Sequence, residues 1–79
     1  MKVPRDVNAD VLIAFLQRHG YTVVRQTGSH IRMEATRNEN VHGITVPNHK
    51  PIKIGTLSQI MKDVSSFIKI HITELYRQL

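Results

Sequence analysis

Two histidines, His30 and His49, are the side chains of this sequence best suited to acid–base chemistry. An imidazole ordinarily has a pKa of about 6.5, so it can take up or release a proton near neutral pH. Lys50 and Lys53 follow His49 closely and could balance the charge of a phosphate group. These residue types suit RNA cleavage without a metal ion. In that reaction a base takes the proton of the ribose 2′-OH, its oxygen attacks the adjacent phosphorus, and an acid protonates the leaving 5′-oxygen.

A hairpin is expected to bring the two histidines together. Residues 30–35 alternate between polar and apolar side chains, which is typical of a half-buried strand. A turn and a further strand at 41–46 would place His30 opposite Asn48 or His49, within a slip of one or two residues. We therefore expect His30 and His49 to be neighbours, beside the two lysines. The open face of the first of these strands should carry His30, Arg32 and Glu34, and its core face Ile31, Met33 and Ala35.

Two helical patterns flank the strands. The first covers residues 9–19, with Asn8 as the N-cap and Gly20 in the left-handed position that ends a helix. The second begins with a capping-box pattern, with Thr56 at the cap and Gln59 three residues later. Free backbone N–H groups at that start would favour a phosphate. The expected apolar faces are Val11, Leu12, Phe15 and Leu16 in the first helix, and Leu57, Ile60, Met61, Val64, Phe67 and Ile68 in the second.

Shorter elements complete the chain. Residues 21–26 are rich in β-forming side chains, and a tight turn at 27–29 follows them. Pro47 is expected to end the third strand because proline cannot donate to a ladder, and a basic loop then covers residues 48–54. A last amphipathic turn or two, with His71 or Thr73 as its cap, is indicated by Ile72, Leu75, Tyr76 and Leu79.

Three strands with one apolar face and two helices predict a two-layer α+β fold. The expected order is α-β-β-β-α, with a three-stranded antiparallel sheet packed on two helices and a short C-terminal helix. This order is that of the double-stranded-RNA-binding domain, although fold analogy does not by itself determine function. One domain is expected over residues 1–79, since a chain of this length has no room for two cores.

Composition narrows the classes of protein further. Eleven Lys and Arg against six Asp and Glu give a net charge of +5, which favours a polyanion or an acidic protein as partner, although such charge can also serve solubility alone. The chain has no cysteine, which excludes disulfides and thiolate chemistry. No apolar run approaches the length that spans a bilayer, and the N-terminus lacks a signal-peptide core. We expect a cytoplasmic protein that does not associate with membranes.

Each candidate residue has a less specific interpretation. A lone histidine on an open sheet face is usually a solvated polar residue, which applies to His30. His49 could brace its loop through a hydrogen bond, and the two lysines could simply be solvated. His19, if it lies in the last helical turn, suits the helix dipole. Zinc ligation is not expected, because the histidines lack a His-x₃-His type of spacing, and no cofactor is expected either.

Four segments, in this order, resemble the HicA toxin family. The family pattern is a Gly-Ser-His turn, a Val-Pro-x-His segment and a Gly-Thr-Leu helix start, and the resemblance covers roughly residues 2–64. Many family members have a histidine or an aromatic residue after the Gly-Ser-His unit, where this chain has Ile31 and Arg32. The matching segments are Gly20-Tyr21, Arg25-Gln26-Thr27-Gly28-Ser29-His30, Thr45-Val46-Pro47-Asn48-His49 and Gly55-Thr56-Leu57-Ser58-Gln59-Ile60.

The resemblance implies a double-stranded-RNA-binding-domain-like fold and the activity of an mRNA interferase in a toxin–antitoxin pair. It also implies that His30, the histidine of the Gly-Ser-His turn, is the catalytic residue. The implied partner is a HicB-type antitoxin that covers the active surface in a hetero-oligomer. The departure at Ile31 and Arg32 could alter the substrate surface, but it leaves His30 in place.

The leading hypothesis is a metal-independent endoribonuclease toxin that acts on mRNA, with His30 as general base or acid and His49 as a possible second proton carrier. Two alternatives stay open. A non-catalytic RNA-binding module would need the basic face but not His30, and an inactive partner of a larger assembly would need neither. The residues expected to bind phosphate are Ser29, Arg32, Lys50, Lys53 and Thr56.

Overall fold

The computed structural model describes residues 3–79 as one three-stranded antiparallel sheet with three helices. The predicted α+β order is therefore confirmed, with the closing helix as the last element. The elements are α1 (Ala9–Arg18), β1 (Thr22–Thr27), β2 (His30–Arg37), β3 (Asn40–Pro47), α2 (Ile54–Ile68) and α3 (Ile72–Gln78).

Helix α1 ends as its sequence predicts. Gly20 has a φ of +93°, which an L side chain rarely adopts. Its N–H donates to the carbonyl of Gln17 (3.2 Å), and the N–H of Tyr21 donates to the carbonyl of Leu16 (3.0 Å). These two bonds are those of a Schellman ending. They turn the chain directly from α1 into the first strand, so that Tyr21 is buried beneath the sheet.

The N-terminus of α1 differs in detail from the expectation. Asn8 is the N-cap and has an extended backbone, but its side chain makes no capping hydrogen bond. The N–H of Ala9 instead donates to the carbonyl of His49 (3.1 Å), which ties the helix start to the loop after β3. Val11 was expected on the apolar face and is 47% exposed, whereas Ala9 is buried.

The β2–β3 hairpin has a register one residue away from the simplest expectation. Its two-residue turn, Asn38 and Glu39, has positive φ at both positions, as a type I′ turn requires. The resulting pairing sets His30 opposite Pro47, rather than opposite Asn48 or His49. Pro47 is itself the last residue of β3, at an edge of the sheet, where its missing N–H breaks no ladder bond to a further strand.

Strand β1 carries a β-bulge. Val23 pairs with Met33 and Arg25 pairs with Arg32, so Val24 is an extra residue on the β1 side. A bulge of this kind reverses which side chains of the strand face each side of the sheet. Every position of β1 is exposed, so no alternation of buried and exposed residues marks the change.

Helix α2 begins earlier than predicted. Lys53 is the N-cap and its carbonyl accepts the N–H of Leu57 (2.9 Å), so Thr56 lies within the first turn and does not cap it. The Gln59 amide donates to Asp63 (3.0 Å) instead of reaching back to the helix start. The capping-box prediction was therefore wrong. Local patterning indicated the helix but missed its first turn, because Ile54 and Gly55 are weak start signals.

The core lies between one face of the sheet and the helices. The predicted inward set of β2 is buried, and so are Ile44 and Val46 of β3. The apolar stripe of α2 is buried as expected, except that Phe67 is only partly covered.

His71 caps α3, where its ring Nδ1 accepts the Thr73 N–H at 3.2 Å. In the part of the chain that the structure describes, no helix is long and apolar enough to cross a membrane. The Lys50–Pro51 peptide bond is cis.

Candidate functional site

A two-residue turn delivers His30 to the end of the sheet. Thr27 pairs with His30, and Gly28 and Ser29 connect them. Gly28 has a φ of +58°, as the first central residue of a type II′ hairpin turn requires. His30 is the first residue of β2, and it is exposed on the face opposite the helices, as predicted.

His30 lines a concavity of about 360 Å³ on the open face. All three strands contribute to it, because the residues that line it belong to two successive rows of cross-strand neighbours. Its walls therefore combine one imidazole, two guanidinium groups and two hydroxyl groups. The lining residues are Arg25, Thr27, His30, Arg32 and Thr45.

Arg32 is held in place within this concavity. Its guanidinium group lies over Gly43 of β3, where a Cβ atom would collide with it. Its Nη1 donates to the Thr45 hydroxyl (3.4 Å), and its Nε lies 4.0 Å from a carboxylate oxygen of Glu34. Because Arg32 and Glu34 are both substantially exposed, this ion pair is weak. Arg32, one of the expected phosphate-binding residues, therefore lines the same concavity as His30, with its guanidinium group directed towards Gly43 and Glu34.

The loop after β3 packs against the His30 turn through its backbone. The Asn48 N–H donates to the carbonyl of Ser29 (2.7 Å), which joins the end of β3 to the turn before β2. The chain then turns towards α1, where the His49 carbonyl accepts from Ala9. The loop therefore lies next to the turn that holds His30.

The remaining predicted site residues lie outside the concavity. His49, Lys50 and Lys53 are exposed, and Thr56 is half-buried in the first turn of α2. Within residues 3–79, the lining of the His30 concavity includes none of these four, nor Ser29. The structure thus brings Arg32 to His30 and leaves the basic loop beside the site.

The sequence patterns did not assign a site role to three of the lining residues, nor to one residue that supports them. Arg25 and Thr27 reach the open face through the bulge in β1, which leaves no signal in the residue pattern. Thr45 follows from pairing with Arg32, and it could have been found from the hairpin register. Gly43 makes room for the Arg32 side chain, and nothing local indicates this role.

A second polar cluster lies on the helix side of the sheet. His42 had no expected role, and its Nδ1 lies 2.7 Å from the hydroxyl of Tyr21, while its ring stacks on Phe67 with centroids 4.8 Å apart. Burial raises the pKa of Tyr21 to about 12, and the charge of Asp63 adds to the effect. This cluster joins the sheet to α2 and lies on the opposite face from His30. In the described part of the chain, no group of three or more His, Asp or Glu side chains could hold a metal ion.

The fold and the open-face site define a small basic α+β domain, and comparison with known families identifies its class as a bacterial toxin. A family model described as the HicA toxin of bacterial toxin-antitoxin matches residues 9–65, which include every lining residue of the His30 concavity. The chain belongs to the HicA toxin family. Membership implies a toxin with an antitoxin partner and an RNA target. Searches of curated proteins and of solved structures give no significant match.

Proposed function

We propose that this toxin is an endoribonuclease that cleaves mRNA and so inhibits translation, with His30 as its catalytic residue. The supporting observation is the position of His30, which is exposed in a concavity that two guanidinium groups also line and which lies inside the segment matched by the family model. A proton carrier next to fixed positive charge is what transesterification of a phosphodiester requires.

The reaction proposed for His30 balances without a further reactant. The ribose 2′-oxygen forms a bond to the adjacent phosphorus while the bond from phosphorus to the 5′-oxygen breaks. One proton leaves the 2′-OH and one is added to the 5′-oxygen, which yields a 2′,3′-cyclic phosphate and a 5′-hydroxyl end. His30 performs one of these two transfers. Arg32 stabilises the charge that develops on the phosphoryl oxygens.

The basic loop is proposed to bind RNA phosphates next to the one that reacts at His30. Lys50 and Lys53 are exposed and follow the end of β3, which is hydrogen-bonded to the His30 turn. Ser29, which is exposed in that turn, is proposed to contact a phosphate as well. Thr56 belongs to the first turn of α2, whose N–H groups favour an anion. These contacts extend the positive surface beyond the concavity.

The proposed partner is an acidic, HicB-type antitoxin that binds the toxin in a hetero-oligomer and blocks the open face. A net charge of +5 favours such a partner. Because the proposed target is mRNA, the proposed site of action is the cytoplasm.

The test compares purified full-length protein with the His30→Ala variant in an RNA cleavage assay and in a growth-arrest assay. We expect the variant to lose cleavage and arrest while it retains RNA binding, because the arginines and lysines remain. His71→Ser is the matched control, since His71 lies at the start of α3 and a serine there can still accept the Thr73 N–H. Undiminished cleavage by His30→Ala would contradict the assignment and favour a non-catalytic RNA-binding module.

The role of His49 as second proton carrier needs a separate measurement. The pH–rate profile of a His49→Ala variant should lose one limb if His49 transfers a proton. An unchanged profile with a reduced affinity for RNA would instead assign His49 to binding.

A further inference from the structure

We propose that Arg25 binds RNA phosphate together with Arg32, and that the bulge at Val24 is the feature of the fold that brings Arg25 to the site. The ligand is the phosphodiester backbone next to the bond cleaved at His30, so the inference rests on the proposed function. Arg25 lies on the edge strand of the sheet, and Arg32 lies opposite it on the central strand.

The first argument is electrostatic. Arg25 and Arg32 occupy directly opposed positions on neighbouring strands, where like charges destabilise a sheet. Arg32 has Glu34 nearby at 4.0 Å, but across residues 3–79 Arg25 forms no salt bridge. A phosphate bound in the concavity that both arginines line would offset this repulsion and gain charge-assisted hydrogen bonds from both side chains.

The second argument is the geometry of the bulge. If the pairing of Val23 with Met33 continued without a bulge, Arg25 would oppose Ile31 and face the helices. The extra residue reverses this orientation, so that Arg25 faces the side of the sheet that carries His30. Bulges commonly re-aim a side chain next to a functional site.

The third argument is that neighbouring residues hold only one of the two arginine side chains in place. Arg32 is oriented by Gly43 and Thr45, whereas Arg25 extends from an exposed edge strand with no hydrogen bond from its side chain among the described residues. One guanidinium group, that of Arg32, is thus held over Gly43. The other is free to close on the RNA backbone, which makes Arg25 a binding residue and not a support of the fold.

The experiment measures binding of the full-length protein to a 2′-O-methyl RNA oligonucleotide, which cannot be cleaved because it has no free 2′-OH. We expect Arg25→Gln to weaken binding about tenfold at low salt. The slope of log K against log salt should fall by about 0.7, because the variant neutralises one phosphate fewer on a single strand. Lys62→Gln removes the same charge from an exposed position on α2 and should leave the slope unchanged.

Unfolding in urea separates binding from a structural role. Because Arg25→Gln removes a like-charge pair, its urea midpoint without RNA should equal or exceed that of the unsubstituted protein. An unchanged affinity and salt slope, or a lower urea midpoint that accounts for the weaker binding, would overturn the assignment of Arg25. The binding and urea measurements do not depend on catalysis. A cleaving His30→Ala variant would overturn the proposed function, and the binding assay would still test Arg25.

Discussion

The guanidinium group of Arg32 lies over Gly43, in the space that a Cβ atom at that position would occupy. Gly43 is on β3 and pairs with Glu34, so it is the diagonal neighbour of Arg32 across the two strands. The absence of a side chain there lets the arginine lie along the sheet. The orientation of the Arg32 side chain on the open face therefore depends on the absence of a side chain at Gly43.

Replacing Gly43 with alanine should displace Arg32. The atoms that collide with the new Cβ belong to the far end of a flexible side chain, so the fold should adapt with a change in stability below about 1 kcal/mol. The RNA cleavage rate should fall even though the fold stays intact, because Arg32 loses its orientation over Gly43. Cleavage rates and urea midpoints of the same preparations would show this. Val41→Ala is the matched control, since Val41 lies on the same strand and its side chain is 63% exposed. Equal losses of cleavage in both variants would contradict the role of Gly43.

The Tyr21 hydroxyl should make stability depend on pH at alkaline values. Burial raises its pKa from 10.0 to about 12, so between these values the unfolded chain releases a proton that the folded protein retains. Stability should therefore be constant below about pH 10 from this source and fall as the pH rises towards 12.

Tyr21→Phe tests this dependence. The variant should be about 1 kcal/mol less stable at neutral pH, because His42 loses its hydrogen-bond partner. Its stability should fall less steeply between pH 10 and 12, so the difference between the two proteins should narrow. Tyr76 has a raised pKa as well, but it is present in both proteins and cancels. Parallel stability curves across this range would contradict the prediction.

Core and surface substitutions should have very different effects in a domain of this size. Met33 is fully buried at the centre of the sheet, so Met33→Ala should cost roughly 2–5 kcal/mol, comparable with the whole stability of a small domain. Val41 is 63% exposed, and Val41→Ala should change stability by less than about 0.5 kcal/mol. Thermal unfolding followed by circular dichroism would distinguish them. A folded, stable Met33→Ala protein would show that the core packs less tightly than its burial indicates.

Arg37 should contribute more to stability than Arg77, whose partner is exposed. The Nη1 of Arg37 donates to the carbonyl of Ile68 (2.6 Å), which satisfies the C-terminal end of α2 and ties it to the end of β2. Arg77 forms a single exposed ion pair with Glu74. We expect Arg37→Ala to cost about 1–2 kcal/mol and Arg77→Ala less than about 0.5 kcal/mol. Chemical unfolding of both variants provides the comparison, and equal costs would contradict it.

Much of the fold could be predicted from local patterns. The alternation over β2 indicated which side chains face the core, and therefore that His30 and Arg32 share the open face. Gly20 indicated the end of α1, and the apolar stripe of α2 indicated the face that packs on the sheet. These predictions succeed because each depends on a periodicity or a backbone preference within a few residues of sequence.

Other features depended on contacts between distant segments. The start of α2 at Ile54 follows a loop that is hydrogen-bonded to the segment before α1, where the Ile52 N–H donates to the Val7 carbonyl (2.8 Å). The local capping pattern at Thr56 does not reflect this contact between distant segments. The register of the β2–β3 hairpin was uncertain by one or two residues because it depends on how many residues form the turn. In the structure Asn38 and Glu39 form it alone, and the register differs from the simplest expectation by one residue. That one residue separates Pro47 from Asn48 as the neighbour of His30.

The order of residues along the chain was enough to specify the α+β class, the outward position of His30 and the family to which the chain belongs. Which positively charged side chains lie near His30 depends instead on how the strands pair. The basic loop lies beside the concavity, while Arg25 enters it through the bulge at Val24. A bulge is a property of the pairing between two strands, and every residue of β1 is exposed, so no burial pattern along that strand could reveal on which face Arg25 lies.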